Sequence, residues 1–399
     1  MVSLVWSVRV RVLVSIALGA VLLGCDSNPQ VSPSPAGSAA PTSSTPAPTT
    51  TPVVTAAPTV LPSALTFRRA GPAVGFKNDA VRGEPGWVTS GLGDPGAPTP
   101  DVWFSADGQE WQNATVRGDA FELTRVAWAN GAFYGVGTRC NVYDHPQYCD
   151  FDGVAWRSTD GLTWKRIGGS GLEKVGFIEG PLAASNGALV LGWVYARNRN
   201  GVYWSRDGVA WTRVDPQEFG ITSKFDGRVD VIASDSGFTL ISVGCKDCPP
   251  RIYTSANGRR WQLVAELDVA DARDVSLASD GSRTVAAVIT CSGDACRTEI
   301  WSSSAGGPWA SSATLPASGT PSLTFAGTAF VFAGEGRNVY LSRDGSAWSE
   351  VTEDFGDDPP RILQGAGHGS PCEIEFLAGG NGDIVLGAEQ CGAWRAALP

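Results

Sequence analysis

The stretch Val202-Tyr203-Trp204-Ser205-Arg206-Asp207-Gly208-Val209-Ala210-Trp211 decides the fold of this chain. Its aliphatic and aromatic start is typical of a β-strand, in which alternate side chains point to opposite faces. The Asp-Gly pair then favours a tight hairpin, because glycine accepts a positive φ and the carboxylate can accept hydrogen bonds from turn amides. The closing tryptophan begins the next strand. Five other segments align with this one without gaps: 102–111, 155–164, 252–261, 300–309 and 339–348.

The six segments recur at a regular spacing. Their closing tryptophans lie 53, 47, 50, 48 and 39 residues apart, and a period near 50 is typical of propeller blades. Each segment follows another apolar hairpin, and this upstream unit appears a seventh time at 374–377 with 384–386, before a third strand at 392–398. Seven copies in residues 66–399 predict an all-β, seven-bladed β-propeller of four-stranded blades. We expect a strand around 65–69 to complete the last blade and close the ring.

The pattern Ser-x-Asp-Gly-x-x-Trp resembles the Asp-box, or BNR repeat, of sialidases and related propellers, in a compact variant with fewer residues between Asp and Gly. The resemblance implies that the boxes lie at blade rims on the face away from the active site. A structural role is therefore expected for the box residues: Asp107, Asp160, Asp207, Asn257, Asp344, Trp111, Trp164, Trp211, Trp261 and Trp348. In the segment ending at Trp309, Ala305 replaces the acid, so we expect that hairpin to be the loosest of the six.

The first 65 residues are predicted to be an export signal followed by a linker. Residues 1–25 read as an export signal, because the uncharged stretch at 12–23 is too short to cross a bilayer. It ends in Leu22-Leu23-Gly24-Cys25, which resembles the bacterial lipoprotein cleavage box and implies a lipid on Cys25. An ordinary secretory peptide followed by a chance cysteine is the alternative. Residues 26–65 are rich in Pro, Ser, Thr and Ala and predict a disordered linker. The expected location is therefore the extracytoplasmic face of a membrane.

Composition excludes some classes of function. The formal net charge is −10, whereas a nucleic-acid binder needs a basic working face. Only 2 histidines are present, so a His-rich metal site is impossible. We expect no metal, no cofactor and a monomeric chain.

Eight cysteines besides Cys25 predict disulfides in an exported protein. The repeats place three pairs within loops between the second and third strands of a blade, and the fourth pair follows by exclusion. The predicted bridges are Cys140–Cys149, Cys245–Cys248, Cys291–Cys296 and Cys372–Cys391. A redox pair or half a zinc site is the alternative for Cys245 and Cys248, but the zinc ligands and the βαβ setting are missing.

Strand order sorts the loops onto two faces. The short Asn-Gly and Asp-Gly hairpins share one face, and the longer, disulfide-bearing loops share the other, where function is expected to concentrate. Charged residues approach the central channel on this second face, either as ligand-binding groups or as a solvated rim. The candidates are Arg68, Arg69, Glu122, Arg125, Glu179, Arg228, Arg273 and Glu373, with Asp226, Asp230, Asp274 and Glu375 beside them.

The sequence favours a membrane-anchored, non-catalytic binding or assembly platform for a protein or a glycan. A sialidase-like exo-glycosidase is the alternative, and residues 67–72 are faintly similar to the Arg-Ile-Pro motif of that family. Such an enzyme needs an arginine cluster, a Tyr–Glu pair and an acid. Tyr203, Tyr253 and Tyr340 occupy core positions, which leaves Tyr143, Tyr148 and Tyr195 without an identifiable Glu partner. An assembly factor of the same repeat class, for a photosystem or a secretion complex, is a third possibility.

Overall fold

The computed structural model describes residues 60–70, 79–91, 101–118, 122–140, 151–173, 175–178, 180–185, 187–196, 200–219, 221, 228–244, 248–292, 295–316, 318–335, 338–355, 374–388 and 392–398. The predicted export signal and most of the predicted linker lie outside these residues. Within them the chain is almost entirely strand, with one short 3₁₀ helix at Pro216–Phe219. No helix in the described part has the length and apolar character needed to cross a bilayer.

Two short strands precede the first blade: β1 (Ala64–Thr66) and β2 (Arg68–Ala70). Blade 1 consists of β3 (Asp79–Arg82), β4 (Trp87–Gly91), β5 (Asp101–Ser105) and β6 (Gln112–Asn113), and β7 (Thr115–Arg117) follows it. Blade 2 consists of β8 (Glu122–Ala129), β9 (Ala132–Cys140), β10 (Phe151–Ser158) and β11 (Thr163–Gly168). Blade 3 consists of β12 (Val175–Ile178), β13 (Leu182–Ser185), β14 (Ala188–Ala196), β15 (Gly201–Ser205) and β16 (Trp211–Val214).

The remaining four blades repeat this order. Blade 4 consists of β17 (Arg228–Ser234), β18 (Gly237–Val243), β19 (Arg251–Ser255) and β20 (Gln262–Glu266). Blade 5 consists of β21 (Ala272–Ser279), β22 (Arg283–Ser292), β23 (Ala295–Ser304) and β24 (Ala310–Leu315). Blade 6 consists of β25 (Ser318–Phe325), β26 (Phe330–Glu335), β27 (Val339–Ser342) and β28 (Ser349–Asp354). Blade 7 contains β29 (Ile374–Gly380), β30 (Asp383–Ala388) and β31 (Gly392–Ala397).

The blades form a closed ring, as the repeat predicts. The innermost strands β3, β8, β13, β17, β21, β25 and β29 each contact the next, and β29 contacts β3. Antiparallel pairing joins neighbouring strands within each blade, and buried aliphatic and aromatic side chains fill the spaces between blades. The seven-bladed β-propeller is confirmed.

Both ends of the propeller take part in closing the ring. Strand β2 pairs antiparallel with β31, with Arg68 opposite Arg395 and Ala70 opposite Ala393, so it is the fourth strand of blade 7. Strand β1 pairs in parallel with β28 and adds a fifth strand to blade 6. Between them, buried Phe67 stacks on Phe355 with 5.0 Å between ring centroids. The predicted closing strand is therefore present.

The box hairpins of blades 2, 3 and 4 share one hydrogen-bonding scheme. In blade 2, Asp160 Oδ1 accepts bonds from the backbone N–H groups of Leu162 at 2.9 Å and Thr163 at 2.8 Å. Ser158 Oγ accepts one from Gly161 N at 2.9 Å, and Trp164 Nε1 donates to Gly161 O at 2.9 Å. These bonds tie the turn to the tryptophan that begins the next strand.

The same scheme sets the ionisation of the box acids. The backbone N–H of Gln109 holds the pKa of Asp107 below its ordinary value, and that of Val209 does the same for Asp207. In Asp344, partial desolvation raises the pKa, but bonds from Ala347 and Ser346 outweigh it, so the pKa is lowered. A bonded carboxylate in a turn prefers its charged form.

The box hairpins of blades 1, 2, 3, 4 and 6 also pack on the preceding blade. Gly161 has a φ of 77°, and a Cβ there would lie 2.3 Å from Cδ2 of Phe104 and 3.1 Å from Cγ2 of Val88 in blade 1. The glycine is therefore required both by the turn and by the close approach of the neighbouring blade.

One disulfide lies entirely within the described residues. Cys291 and Cys296 are bonded across the β22–β23 hairpin, between the second and third strands of blade 5, as predicted. Cys248 is also disulfide-bonded, and its predicted partner Cys245 lies outside the described residues. The pairs Cys140–Cys149 and Cys372–Cys391 stay predictions, because Cys149, Cys372 and Cys391 lie outside those residues too.

Replacing a box acid should loosen its hairpin. Asp160→Ala removes an acceptor that serves two backbone amides, so we expect the free energy of unfolding to fall by about 1–2 kcal/mol. Thr159→Ala, at the exposed neighbouring position, is the matched control and should change it little. Chemical denaturation of both variants measures the difference, and equal stabilities would show that the carboxylate does not brace the turn.

Candidate functional site at the central channel

The innermost strands enclose a channel that is apolar along most of its length. Its cavity has a volume of about 400 Å³ and is lined by residues of six innermost strands. Near the hairpin end of the ring, Trp128 and Phe325 line it, and small aliphatic residues such as Ala183 and Val231 form much of the remaining wall. The acidic residue of the lining, Asp79, lies at the other end, where the innermost strands begin.

Four polar side chains of the innermost strands bond to the next blade. Asp79 Oδ2 accepts a hydrogen bond from Val126 N at 3.0 Å, and Asp230 Oδ2 accepts one from Leu277 N at 2.5 Å. The other two make the same kind of connection: Ser276 Oγ accepts from Leu323 N at 3.3 Å, and Arg125 Nε donates to Gly180 O at 3.2 Å. Three of these four bonds join residues 47 positions apart, so the register repeats from blade to blade.

These inter-blade bonds have a clear physical cause. An innermost strand is a sheet edge, and the N–H groups that it points away from its own sheet have no ladder partner. A backbone N–H buried without an acceptor is costly, and the side chain of the preceding blade supplies the acceptor. The second oxygen of each acid binds locally, because Ala80 N donates to Asp79 Oδ1 at 2.9 Å and Val231 N donates to Asp230 Oδ1 at 2.7 Å.

Burial in the channel shifts the ionisation of these acids. Desolvation raises the pKa of Asp79 to about 6, although the nearby Arg125 guanidinium and two backbone amides act in the opposite direction. Desolvation also raises the pKa of Asp230 to about 6, and the charge of Asp274 adds to this effect. Burial raises the pKa of Asp274 itself, with Arg228 opposing it. The end of the channel where the innermost strands begin, here called the mouth, therefore holds two acid–arginine groups. One lies at blades 1 and 2 and the other at blades 4 and 5.

The structure brings some of the predicted charged residues to this mouth. Arg125 makes the inter-blade bond described above, and Asp230 and Asp274 lie with Arg228 at the start of β17 and β21. The side chains of Arg228 and Arg273 are exposed, and Glu122 begins β8 in a partly buried position.

Arg68 and Arg69 do not approach the channel as expected. They lie on β2, the outermost strand of blade 7, because pairing with β31 uses this segment to close the ring. Glu179, Glu373 and Asp226 lie outside the described residues, as do Tyr143 and Tyr148 of the predicted loop. Glu375 lies in β29.

Sequence reasoning missed Asp79 and Ser276. Asp79 directly precedes two apolar residues at the start of an innermost strand, as Asp230 does, and this short match is the signal that could have found it. Ser276 has no comparable signal, because its role depends on the register of the next blade. In the described part of the chain, no three His, Cys, Asp or Glu side chains are grouped in a way that could hold a metal ion.

The shifted pKa values predict a pH dependence of stability. Because about 6 lies above the ordinary value of 3.8, the native state binds protons more tightly than the unfolded chain between pH 4 and 6. The contribution to the free energy of unfolding is therefore fully present below about pH 4 and is lost as pH rises through 6, by up to about 3 kcal/mol per carboxylate.

Asp79→Asn and Asp230→Asn should each flatten this decline, because the amide does not titrate. The exposed Asp268 provides the control variant Asp268→Asn, which should retain the decline. Unfolding free energies measured from pH 4 to 7.5 test this, and an unchanged slope in both channel variants would contradict the assigned burial.

Comparison with solved structures finds proteins of similar fold. The chain is similar to YCF48 bound to D1 peptide, with a TM-score of 0.54, 15% sequence identity, and coverage of 85% of this chain and 98% of that chain. It is also similar to the GH93 α-L-arabinofuranosidase of Fusarium graminearum with arabinobiose, with a TM-score of 0.42, 11% identity, and coverage of 84% and 97%. A third similarity is to the fucose-specific lectin from Aleuria aurantia, with a TM-score of 0.41, 10% identity, and coverage of 69% and 93%. No protein-family profile and no curated protein sequence matches the chain. At these identities the similarity concerns the fold, and the chain is a seven-bladed β-propeller.

Proposed function

We propose that this chain is an extracytoplasmic propeller, anchored by a lipid on Cys25, that acts as a non-catalytic binding or assembly platform for a protein or a glycan. The observation that carries the proposal is the bonding of the channel acids. Asp79 and Asp230 each use one oxygen for a local backbone amide and the other for an amide of the next blade. These carboxylates join the blades of the scaffold.

A catalytic acid or base must reach a proton of the substrate within hydrogen-bond distance. The two carboxylates at the channel mouth are held by backbone donors instead, and moving either one would leave a buried N–H without its acceptor. The channel wall beyond them is mostly aliphatic, which favours a rigid scaffold over a site for proton transfer.

The binding surface that we propose is the face where the innermost strands begin, here called the loop face. It carries the exposed Arg228 and Arg273 and the disulfide-bonded hairpin at Cys291–Cys296. Cys291 N donates to Asp271 O at 3.5 Å, so that hairpin lies beside the start of β21. Loops held on a rigid scaffold are where binding residues concentrate. YCF48, which has a similar fold, is bound to D1 peptide and is a precedent for a protein ligand.

Glycoside hydrolysis is the second candidate, and one observation favours it. Asp230 and Asp274 are neighbouring carboxyl groups with raised pKa values, and such pairs serve as acid and base in glycosidases. Asp274 also accepts a bond from Val275 N at 2.9 Å, so it too has a local structural partner. The same bonding pattern therefore supports the platform more strongly than the enzyme.

Incubation of the chain with fluorogenic sialosides and a wider glycoside panel distinguishes the two candidates. We expect no turnover above a blank, because the channel acids are engaged with backbone amides. Turnover that Asp274→Asn or Arg125→Ala abolishes, in variants with unchanged melting temperature, would overturn the platform in favour of the enzyme.

A partner at the loop face should depend on its charges. We expect Arg228→Glu with Arg273→Glu to remove the main partner found by in-cell cross-linking, because charge reversal at an interface disrupts electrostatic complementarity. Arg206→Glu, an exposed arginine of a box hairpin on the opposite face, is the control and should retain the partner. Equal loss in both would place the interface elsewhere.

The lipid anchor has its own test. In a bacterial host that processes lipoproteins, we expect the chain to partition into the detergent phase and Cys25→Ser to move it to the aqueous phase, because the acyl chains supply the membrane affinity. Equal partitioning of both would show that Cys25 carries no lipid.

A further inference from the structure

A second cavity lies away from the channel, at the seam where the two ends of the propeller meet. We call it the seam cavity. It has a volume of about 490 Å³, and its lining includes Leu65, Thr66 and Arg68 from the β1–β2 segment, Arg395 and Ala397 from β31, and Gln109 from the box hairpin of blade 1. It uses none of the loop-face residues, so it is independent of the proposed platform.

The seam cavity follows from the way in which the ring closes. In blades 1 to 6 a hairpin joins the third and fourth strands on the face of short turns, and in all of these except blade 5 the hairpin glycine packs against the preceding blade. In blade 7 the third strand is β31 and the fourth is β2, from opposite ends of the chain, so no hairpin can join them. Ala397, the last residue of β31, and Arg68, the first residue of β2, mark the two ends of this gap, and both line the cavity.

The walls of the seam cavity carry excess positive charge. Asp383 is shared by two arginines, with its Oδ1 at 2.7 Å from Arg395 Nη2 and its Oδ2 at 3.4 Å from Arg82 Nη1. The Nε atoms of Arg82 and Arg395 are buried without a hydrogen-bond partner among the described residues. Arg68 lies directly across the β2–β31 ladder from Arg395, and its exposed side chain has no hydrogen-bond or ion-pair partner within the described ranges. Arg68 and Arg395 are therefore the charged side chains among the described residues that line the cavity.

We propose that the seam cavity binds a small ligand through a carboxylate group. A planar guanidinium presents paired N–H donors that match the two oxygens of a carboxylate, and Arg68 and Arg395 offer such donors from adjacent strands. Gln109 and Thr66 add neutral hydrogen-bonding groups, and Leu65 and Ala397 add apolar surface. A cavity of about 490 Å³ is in the usual range for small-molecule sites and suits a ligand such as a sugar acid.

Isothermal titration of the full chain with glucuronate tests the proposal, with glucose as the neutral analogue and sulfate as the inorganic anion. We expect saturable glucuronate binding that Arg68→Gln weakens roughly tenfold or more, because a charge-assisted hydrogen bond is lost. Arg206→Gln, an exposed arginine on a complete box hairpin, is the matched control and should bind as the unmodified chain does.

Arg395→Gln is a second test. Because this substitution also removes the bond to Asp383, its binding result counts only if the melting temperature of the variant is unchanged. The exposed Arg68 keeps the test decisive if Arg395→Gln does not fold. Absence of saturable glucuronate binding across the millimolar range would overturn the proposal. Equal binding of glucose, equal or tighter binding of sulfate, or equal weakening by Arg206→Gln would overturn it as well.

Discussion

The pairing of β2 with β31 is the interaction on which the rest of the structure depends. A row of four-stranded blades has an unpaired edge at each outer strand and an uncovered apolar face at each end. Joining the first residues of the fold to the last strand covers both faces and places β29 against β3. Once the ring is closed, every innermost strand faces the channel and the register between blades becomes fixed.

Ring closure also determines which hydrogen bonds the polar residues of the channel form. The inward edges of the innermost strands carry amides that need acceptors, and the aspartates of the preceding blades provide them. The same burial that makes these bonds useful raises the pKa of Asp79 and Asp230 to about 6. The box aspartates are exposed to solvent and have lowered pKa values. Acids of one residue type thus act with opposite pH dependence at the two faces of the ring.

The local sequence is sufficient to predict the architecture. The positions of the binding residues could not be predicted in the same way, because they depend on pairing between segments far apart in the sequence. The box hairpins are encoded within ten residues, so their strands and turns follow from residue type and spacing. The position of Arg68 depends on pairing with the other end of the chain, and composition offers no signal for it. Asp79 lies in a four-residue strand whose inward register is visible once the neighbouring blade is in place. Binding residues on a propeller are set by this register, so the sequence identifies the scaffold more clearly than the site.

The measurement that tests ring closure most directly is a cross-link between its two ends. Ala70 and Ala393 are paired across β2 and β31 and are both fully buried, and antiparallel partners lie at a distance that a disulfide spans. In Ala70→Cys with Ala393→Cys, mild oxidation should form that bond without lowering the melting temperature, as peptide mapping by mass spectrometry would show. Ala70→Cys with Ala313→Cys, in blade 5, should form none. A folded chain in which the first pair never cross-links would contradict the closed ring.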